Sequence, residues 1–367
     1  MQKFKHNNLF FYRNKLLIYK PLMDKIVILQ NMIPHYRIPI YNELSKYFEI
    51  IVIHSGKEES DIKNNFKDIE LDLIKIGPFN IQRKLINTIR KESPDIVIMM
   101  FDITWPISFL LLFKPKAKII WWGLDVGKSK LSLKIKLLFA KMGYPIIFYH
   151  NSIREQFIKL GVKKDICFVA NNTFHVENRI KAFNFDKKYF LSVGTLNSRK
   201  QLDVCIDAFV KINSSINNKM NFIIIGSGPE KFFLERKIIN SGQSEFISLI
   251  DRITNPNDLE KYYKHAIASI SYGQAGLSVL QSFSYGVPYI TKKNTISGGE
   301  AGNIIHNING IIVDDSTVSL ERAIKKIICD HQYAKTLGKN AYNYYTENCT
   351  ITNLVEGFKS AIESNNE

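Results

Sequence analysis

The sequence has no apolar run long enough to cross a membrane. The longest candidate, Trp105–Phe113, contains Pro106 and falls far short of the roughly 20 residues that a membrane helix needs. Low-complexity tracts are absent and 45% of the residues are hydrophobic, which excludes collagen, a coiled coil and global disorder. We therefore expect a soluble or membrane-peripheral protein of the cytoplasm.

Cysteine is scarce, and its spacing excludes the common structural metal sites. The chain has only 4 cysteines, and no two of them show the short spacing of paired zinc ligands: Cys167, Cys205, Cys329 and Cys349. We interpret them as buried thiols in a reducing compartment. No pair of aspartates has metal-site spacing either, so we expect neither a bound metal nor a cofactor.

Acidic residues are in short supply in one half of the chain only. Residues 1–200 carry 34 basic and 17 acidic side chains, whereas residues 201–367 carry 16 and 17. Within the basic half, Gly127–Lys141 interleaves lysines with Leu, Ile and Phe. Such a helix can bind an anionic membrane surface or an anionic ligand, and the alternative is a solvated lysine-rich face. No nucleic-acid-binding motif accompanies the charge, so nucleic acid is not an expected partner.

Short apolar segments alternate with helical segments in two series. The predicted strands are Lys25–Gln30, Ile50–Ile53, Ile96–Met100, Ile119–Trp122 and Ile146–Tyr149, then Tyr189–Val193, Phe222–Ile225, Phe246–Leu249, Ala268–Ser271, Tyr289–Thr291 and Gly310–Val313. The predicted helices include Ile40–Tyr47, Gln82–Lys91 and Ser152–Leu160. This alternation predicts an α/β fold of two Rossmann-like, doubly wound domains in tandem that face a central cleft.

The same pattern predicts where the domains divide. We expect an N-terminal domain over residues 23–184 and a C-terminal domain over residues 185–345, joined by the polar segment Lys181–Lys188. Residues 346–367 are predicted to form a C-terminal helix that packs back on the N-terminal domain. Residues 1–22 form a basic, aromatic extension before Met23, which we interpret as a tail or as the product of an upstream start site.

Four segments of the second half place a glycine turn between a strand and the following segment. They are Ser192–Lys200, Ile225–Glu230, Tyr272–Gln281 and Ser297–Gly302. A glycine lets the backbone approach a ligand, and the neighbouring Arg199 and Lys200 suit phosphate oxygens. The helix that follows Gly276 presents free N–H groups that can hold a diphosphate. A single turn of this type is also required for purely structural reasons.

With these motifs the chain resembles family 4 of the glycosyltransferases, the retaining GT-B enzymes that use nucleotide-sugar donors. The likeness runs from about Met23 to the end of the chain and is strongest over Tyr189–Val313. It includes the strand entry Tyr285–Pro288 and the strand Asn309–Ile312. The opening Ile33–Leu44 resembles the first loop and helix of members that build surface polysaccharides.

The resemblance implies a set of donor contacts in the second half. Arg199 and Lys200 would bind the diphosphate, and Arg252 and Ile253 would frame the base. Gly194 and Gly226 are further expected donor-binding residues. The backbone amides of Gly276, Leu277 and Ser278 would hold the diphosphate. Where the family has two glutamates, this chain has Gly273 and Gln281. Gln281 is expected on the ribose hydroxyls, while Gly273 offers the donor sugar only its backbone.

Three candidate catalytic residues lie in the first half. Asp102 and Asp125 follow predicted strands, where the carboxyl ends of the sheet face the cleft, and either can orient an acceptor hydroxyl. For Asp102, capping of the next turn is the alternative. His35, in the first loop beside Arg37, can contact donor phosphate or acceptor. The histidine that many relatives carry after the strand ending at Trp122 is missing.

The resemblance thus implies a retaining, metal-independent hexosyltransferase at the inner face of the cytoplasmic membrane. It would move a sugar from a UDP- or GDP-linked donor to a lipid-linked bacterial surface glycan, such as O-antigen or capsule. The missing glutamates leave two alternatives open. One is an inactive GT-B subunit that binds nucleotide and supports a partner enzyme. The other is a GT-B nucleotide-sugar epimerase, against which the polysaccharide-type first loop argues.

Overall fold

A computed structural model describes residues 11–12, 15–16, 23–58, 60–113, 116–123, 130–177 and 179–364. Ahead of the first domain, strands β1 (Phe11–Tyr12) and β2 (Lys15–Leu16) pair antiparallel. Most of the extension over residues 1–22, Asp125 and the first lysine of the basic helix, Lys128, lie outside the described residues.

The N-terminal domain is built on a sheet of seven parallel strands. They are β3 (Lys25–Leu29), β4 (Glu49–His54), β5 (Lys67–Glu70), β8 (Ile96–Met100), β9 (Lys118–Trp122), β10 (Ile146–Phe148) and β11 (Cys167–Val169). They lie in the order β11-β10-β9-β8-β3-β4-β5. The central strands are buried along almost their whole length, as their continuous Ile and Val runs predict for a sheet covered on both faces.

Helices cover both faces of this sheet, and one hairpin extends beyond it. The helices are α1 (Ile38–Leu44), α2 (Leu85–Glu92), α3 (Lys130–Ala140) and α4 (Asn151–Lys159), with 3-10 turns at His35–Arg37, Pro106–Leu112 and Lys164–Ile166. The antiparallel hairpin consists of β6 (Leu73–Ile76) and β7 (Phe79–Gln82). The helix predicted from Gln82 therefore starts later, at Leu85, because residue 82 ends a strand and Lys84 turns the chain with a positive φ of 60°.

The C-terminal domain has a six-stranded parallel sheet of the same type, in the order β14-β13-β12-β15-β16-β17. Its strands are β12 (Tyr189–Val193), β13 (Asn221–Ile225), β14 (Ile247–Ile250), β15 (Ala266–Ile270), β16 (Tyr289–Lys292) and β17 (Gly310–Val313). Its helices are α5 (Leu202–Ser215), α6 (Lys231–Asn240), α7 (Pro256–His265), α8 (Ser278–Ser284), α9 (Thr317–Cys329) and α10 (His331–Asn348). Three 3-10 turns complete it, at Ala182–Asn184, Ser198–Lys200 and Glu300–Asn303.

The last helix, α11 (Ile351–Glu363), returns to the N-terminal domain. Its Phe358 ring lies edge-on against Trp122 with 4.9 Å between ring centroids. The amine of Lys118 donates a hydrogen bond of 2.9 Å to the carbonyl oxygen of Ile362. Burial of such apolar side chains contributes about 1.5–3 kcal/mol for each large one, so this helix ties the two ends of the chain together.

Two sequence-based expectations, on membrane-spanning helices and on the burial of cysteines, can be compared with the structure. No helix among the described residues is long and apolar enough to span a membrane. The expectation that all cysteines are buried is wrong for one of them: Cys329 is exposed at the end of α9, whereas the other three are buried. Its position on the outer turn of a surface helix, next to Asp330, explains the exposure.

Candidate functional site

Two adjoining cavities of about 360 and 330 Å³ lie between the domains, at the carboxyl ends of the C-terminal strands. We call them together the interdomain cleft. Six residues line both cavities: His35, Phe174, Val193, Gly194, Thr195 and Gln281. The N-terminal domain adds Tyr36 and Glu58. A parallel α/β sheet places ligands at this edge, so the cleft is the expected site of a bound molecule.

The first glycine turn brings into the cleft the two cationic side chains that are predicted to bind phosphate. Gly194 has a positive φ of 124°, a conformation that favours glycine, and the chain then turns toward Arg199 and Lys200. Arg199 is exposed, whereas Lys200 is 7% exposed and donates a hydrogen bond of 2.8 Å to the carbonyl oxygen of Val193. Burial lowers the pKa of Lys200 to about 8. A buried cation that has no carboxylate counter-ion among the described residues is suited to an anionic ligand.

The second glycine turn packs against the first. A Cβ on Gly226 would lie 2.1 Å from the carbonyl oxygen of Gly194, and one on Gly228 would lie 2.3 Å from that of Leu196. The backbone amide of Gly194 also donates to the carbonyl of Ile225. Gly226 lines the larger cavity, so close packing and access to the cleft both require a glycine there.

The third turn brings four of the predicted contacts into the cleft. Gly276, Leu277, Ser278 and Gln281 all line the smaller cavity. None of the described side chains caps the start of α8, so its first amides are not covered by a cap. Gln281, on the same helix, is 6% exposed and lines both cavities.

Gly273, which was predicted to offer only its backbone to the donor sugar, is not among the residues that line the two cavities. Its amide donates to the carbonyl of Lys200, and its carbonyl accepts from the amide of Ile296, so its backbone is already bonded within the protein. A Cβ there would lie 2.4 Å from the carbonyl oxygen of Arg199. The first and third glycine turns contact each other at Gly273, so only a glycine fits at this position.

Amide side chains surround this part of the cleft, and the sequence analysis missed three of them. Asn197 and Gln274 line the smaller cavity, and Gln201 lies beside Gly273. Each has a buried amide oxygen with no hydrogen-bond partner in the described part of the chain. Their positions next to the glycine turns were the available signal. Uncharged amides thus lie close to the positions at which the resemblance implies glutamates and this chain has Gly273 and Gln281.

The larger cavity is lined by the residues that are predicted to frame the base and, opposite them, by a histidine–glutamate pair. Arg252 and Ile253, which follow β14, line it. Opposite them, the Nδ1 of His35 lies 2.6 Å from Glu58 Oε2, which also accepts from the His35 amide at 3.1 Å. Burial alone would raise the pKa of Glu58, but the hydrogen bonds from His35 and the attraction of Arg252 hold it below its ordinary value. Glu58 was not predicted, although it follows a strand end.

Of the three predicted catalytic residues, the structure describes His35 and Asp102. His35 lines the interdomain cleft, and Asp102 does not. Asp102 lines two other cavities of the N-terminal domain, and its Oδ1 accepts hydrogen bonds from the amide and hydroxyl of Thr104, the turn-capping arrangement that was the alternative. Asp125 lies outside the described residues.

The fourth glycine turn connects the domains. Gly299 packs on Tyr149 and His150, and a Cβ on Gly302 would lie 2.7 Å from the Nδ1 of His150. Asn172 donates a hydrogen bond of 2.9 Å to the buried carboxylate of Glu300. This turn therefore fixes the position of one domain against the other. In the described part of the chain, no group of three His, Cys, Asp or Glu side chains is arranged as a metal site.

Comparison with known proteins agrees with this geometry. Residues 174–344 match the family model described as Glycosyl transferases group 1, a range that contains all the donor contacts predicted in the second half. An uncharacterized glycosyltransferase of Methanocaldococcus jannaschii is 26% identical over 251 residues, which are 62% of this chain. The matched part spans 60% of that relative's length.

Solved structures show the same fold at low sequence identity. Anabaena HepE in complex with UDP superposes with a TM-score of 0.70 at 13% identity, covering 93% of this chain and 100% of HepE. WaaG, a glycosyltransferase involved in lipopolysaccharide biosynthesis, superposes with a TM-score of 0.65 at 14% identity, covering 92% and 99%. The predicted fold class is confirmed: the chain has the GT-B fold of two Rossmann-like domains.

Proposed function

We propose that the protein is a retaining, metal-independent glycosyltransferase that takes a sugar from a nucleotide-diphosphate donor and transfers it to a lipid-linked surface glycan. The observation that carries this proposal is the smaller cavity of the interdomain cleft. There Arg199, the buried Lys200 and the uncapped start of α8 line one space of about 330 Å³. The group 1 glycosyltransferase match covers the same segment.

The diphosphate is the ligand that these groups fit best. Two cations and uncapped helix amides offer charge-assisted hydrogen bonds to phosphate oxygens without a metal ion. His35 lines the same cavity from the other domain. In a retaining transfer the bond from the sugar to the diphosphate breaks early, so stabilisation of the leaving diphosphate and positioning of the acceptor lower the barrier. Lys200 and Arg199 would supply the first of these.

The nucleoside would occupy the larger cavity. Gln281 lines both cavities and places its amide where a ribose would follow the diphosphate. Arg252 and Ile253 line the far wall, where the base would lie. UDP is bound by HepE, a protein of the same fold, so we propose UDP as the first nucleotide to test and GDP as the second.

A basic and apolar surface of the N-terminal domain would face the membrane that carries the acceptor. We call it the lipid-facing surface and define it by the β6–β7 hairpin, residues 106–113 and residues 130–141. Its exposed side chains include Ile76, Phe79, Leu110, Phe113, Leu131 and Leu138 beside Lys130, Lys134 and Lys141. Phe109 of the turn packs on Phe139 of α3 at 5.0 Å between centroids, and the hairpin amide of Asn80 donates to Thr104, just before the turn.

Cations interleaved with exposed apolar side chains bind anionic lipid headgroups and the acyl boundary below them. WaaG, of the same fold, is a glycosyltransferase of lipopolysaccharide biosynthesis. This supports a bacterial surface glycan, such as O-antigen or capsule, as the class of acceptor, and the cytoplasmic face of the membrane as the place of action.

An inactive nucleotide-binding subunit is the second candidate, and one observation favours it. At the two positions where the resemblance implies glutamates, Gly273 has no room for a side chain and Gln281 carries no charge. Such a protein would bind nucleotide and fail to transfer a sugar.

A thermal-shift screen with UDP, GDP, CMP and their sugars, followed by an assay of nucleotide released from the donor that binds, separates these functions. A ligand at 100 times its Kd stabilises the folded state by about 2.7 kcal/mol, which is a readily measured rise in Tm. Binding with release of nucleotide supports the enzyme. Binding without release, with every acceptor extract tried, supports the subunit. A Tm that no nucleotide moves overturns both proposals.

A further inference from the structure

A cavity of about 50 Å³ lies apart from the interdomain cleft, at the carboxyl ends of β3 and β8. We call it the side cavity and define it by Leu29, Gln30, Met99, Asp102 and Trp105, which line it among others. Asp102 also lines a neighbouring cavity of about 280 Å³, which we call the ring cavity. The side cavity suits a small substituent, whereas the ring cavity has room for a whole sugar ring.

One hydrogen-bond donor in the side cavity has no partner. Gln30 is 4% exposed, and its Nε2 is buried without a hydrogen-bond partner among the described residues. The adjacent Gln82 differs, because its Nε2 donates to the carbonyl of Gln30 and to the hydroxyl of Ser55. Buried donors are nearly always satisfied in native proteins, so the amide of Gln30, which has no partner among the described residues, is available to an acceptor on a bound molecule.

The other residues that line the side cavity indicate which chemical group would carry this hydrogen-bond acceptor. Leu29 and Met99 are buried and apolar, so they suit a methyl group. The Asp102 carboxylate keeps accepting capacity beyond its two hydrogen bonds from Thr104, so it suits an N–H donor. Trp105 adds an aromatic wall, which also suits a methyl group.

We propose that the side cavity binds the acetamido group of an N-acetylhexosamine whose ring lies in the ring cavity. The acetamido carbonyl accepts a hydrogen bond from Gln30 Nε2, its N–H donates to Asp102, and its methyl group packs on Leu29 and Met99. This inference rests on the proposed function, because it identifies an N-acetylhexosamine as the terminal sugar of the acceptor glycan. A carboxylate substituent is excluded because it would face Asp102.

The chain offers an internal probe of this site. Of its 3 tryptophans, Trp121 and Trp122 are fully buried and Trp105 lines the side cavity. Titration of the full-length protein with N-acetylglucosamine or N-acetylgalactosamine at millimolar concentration should therefore change tryptophan emission, whereas glucose and galactose should not. Saturation-transfer NMR on the same samples should show its strongest signal on the acetyl methyl group. Trp105→Phe should abolish the fluorescence response and keep the NMR signal.

Gln30→Met tests the hydrogen bond itself. It keeps the side-chain volume and removes a donor that has no partner among the described residues, so Tm should stay the same or rise. Affinity for the N-acetyl sugar should fall by roughly tenfold, the loss expected for one hydrogen bond. The matched control is Gln332→Met, the same change on the exposed surface of α10, which should leave affinity unchanged. If Gln30→Met fails to fold, Gln30→Asn replaces it in the test. The asparagine side chain is one methylene shorter, so its amide lies farther from the sugar and binding should weaken similarly.

Each outcome decides the inference separately from the proposed function. Equal responses to glucose and N-acetylglucosamine, or full affinity in a folded Gln30 variant, overturn the acetamido site. UDP affinity of the wild type is measured in parallel. If UDP binds and the N-acetyl sugars do not, the proposed function stands and this inference fails. If the sugars bind as described and no nucleotide does, the saccharide site stands and the proposed donor site fails.

Discussion

The amine of Lys200 donates a 2.8 Å hydrogen bond to the carbonyl oxygen of Val193, directly below the turn at Gly194. Burial lowers the pKa of Lys200 to about 8 from its ordinary 10.5. Deprotonation above pH 8 removes a cation from the proposed diphosphate site. We therefore predict that UDP affinity falls by about twofold between pH 7 and 8 and by up to about tenfold for each pH unit above 8, measured by calorimetry.

The stability of the unliganded protein should respond with the opposite sign. Between pH 8 and 10.5 the unfolded chain binds more protons at Lys200 than the folded protein, so this residue adds to the free energy of unfolding as the pH rises through that window. Lys200→Arg keeps its charge and should retain UDP affinity above pH 8. Lys200→Met should bind UDP at least tenfold more weakly than the wild type at pH 7, and its affinity should not decrease further above pH 8. Identical pH profiles for Lys200→Met and the wild type would remove Lys200 from the site.

Gln281 is predicted to bind the ribose. It is 6% exposed and lines both cavities of the interdomain cleft. Gln281→Leu should cost about 1–3 kcal/mol of UDP binding, because ribose hydroxyls lose their partner in a water-poor site. Gln281→Glu keeps the acceptor and should bind as well as or better than the wild type. Equal affinity of the Leu variant and the wild type, with unchanged Tm in both, would contradict this role.

Gly273 should be intolerant of any side chain for structural reasons. Its Cβ would lie 2.4 Å from the carbonyl oxygen of Arg199, so Gly273→Ala should lower stability by about 1–3 kcal/mol, and Gly273→Glu by more. Gly276 is the matched control in the same loop, because a Cβ there meets nothing within 4 Å. Chemical denaturation measures both. A Gly273→Glu variant that is fully stable and gains transferase activity would instead favour the inactive-subunit alternative.

The lipid-facing surface should bind anionic vesicles. Leu131 and Leu138 are 69% and 68% exposed on α3, so their replacement by serine should weaken sedimentation with phosphatidylglycerol vesicles while Tm and UDP affinity stay constant. Lys130→Gln with Lys134→Gln should weaken the salt-sensitive part of binding, since charges are screened over about 8 Å at 0.15 M salt. Ile239→Ser is the control, because Ile239 is 67% exposed on α6 of the other domain. Undiminished sedimentation of both α3 variants would place the contact elsewhere.

The two sheets were predictable because their strands are short, continuous apolar runs, and such runs belong to parallel sheets covered on both faces. Less apolar elements were missed. Strand β5 is mostly exposed at the sheet edge, and the β6–β7 hairpin carries its apolar residues toward solvent, so neither has the burial pattern that identifies a strand. Turn geometry was also invisible, as at Lys84, where a left-handed residue delays the start of α2.

The candidate site was predictable where a glycine turn and a cation follow a strand. Arg199, Lys200, Gly276 and Gln281 all line the cleft. Contacts between segments distant in sequence were not predictable. The pairing of Glu58 with His35 across 23 residues, and the meeting of two turns on Gly273, depend on packing that no local pattern encodes. Gln274 was overlooked, although its position beside a glycine turn could have indicated it.

The most direct test of the central claim is the release of UDP from UDP-sugars by the purified protein, with the Lys200→Met variant measured alongside. UDP-glucose, UDP-galactose and the two UDP-N-acetylhexosamines are the donors to compare, with lipid extract as acceptor, and GDP-sugars serve as the second set. We predict release from at least one of these donors by the wild type, and a loss of at least tenfold in Lys200→Met at pH 7. Equal release by the two proteins, or none from any donor in the wild type, would contradict the account.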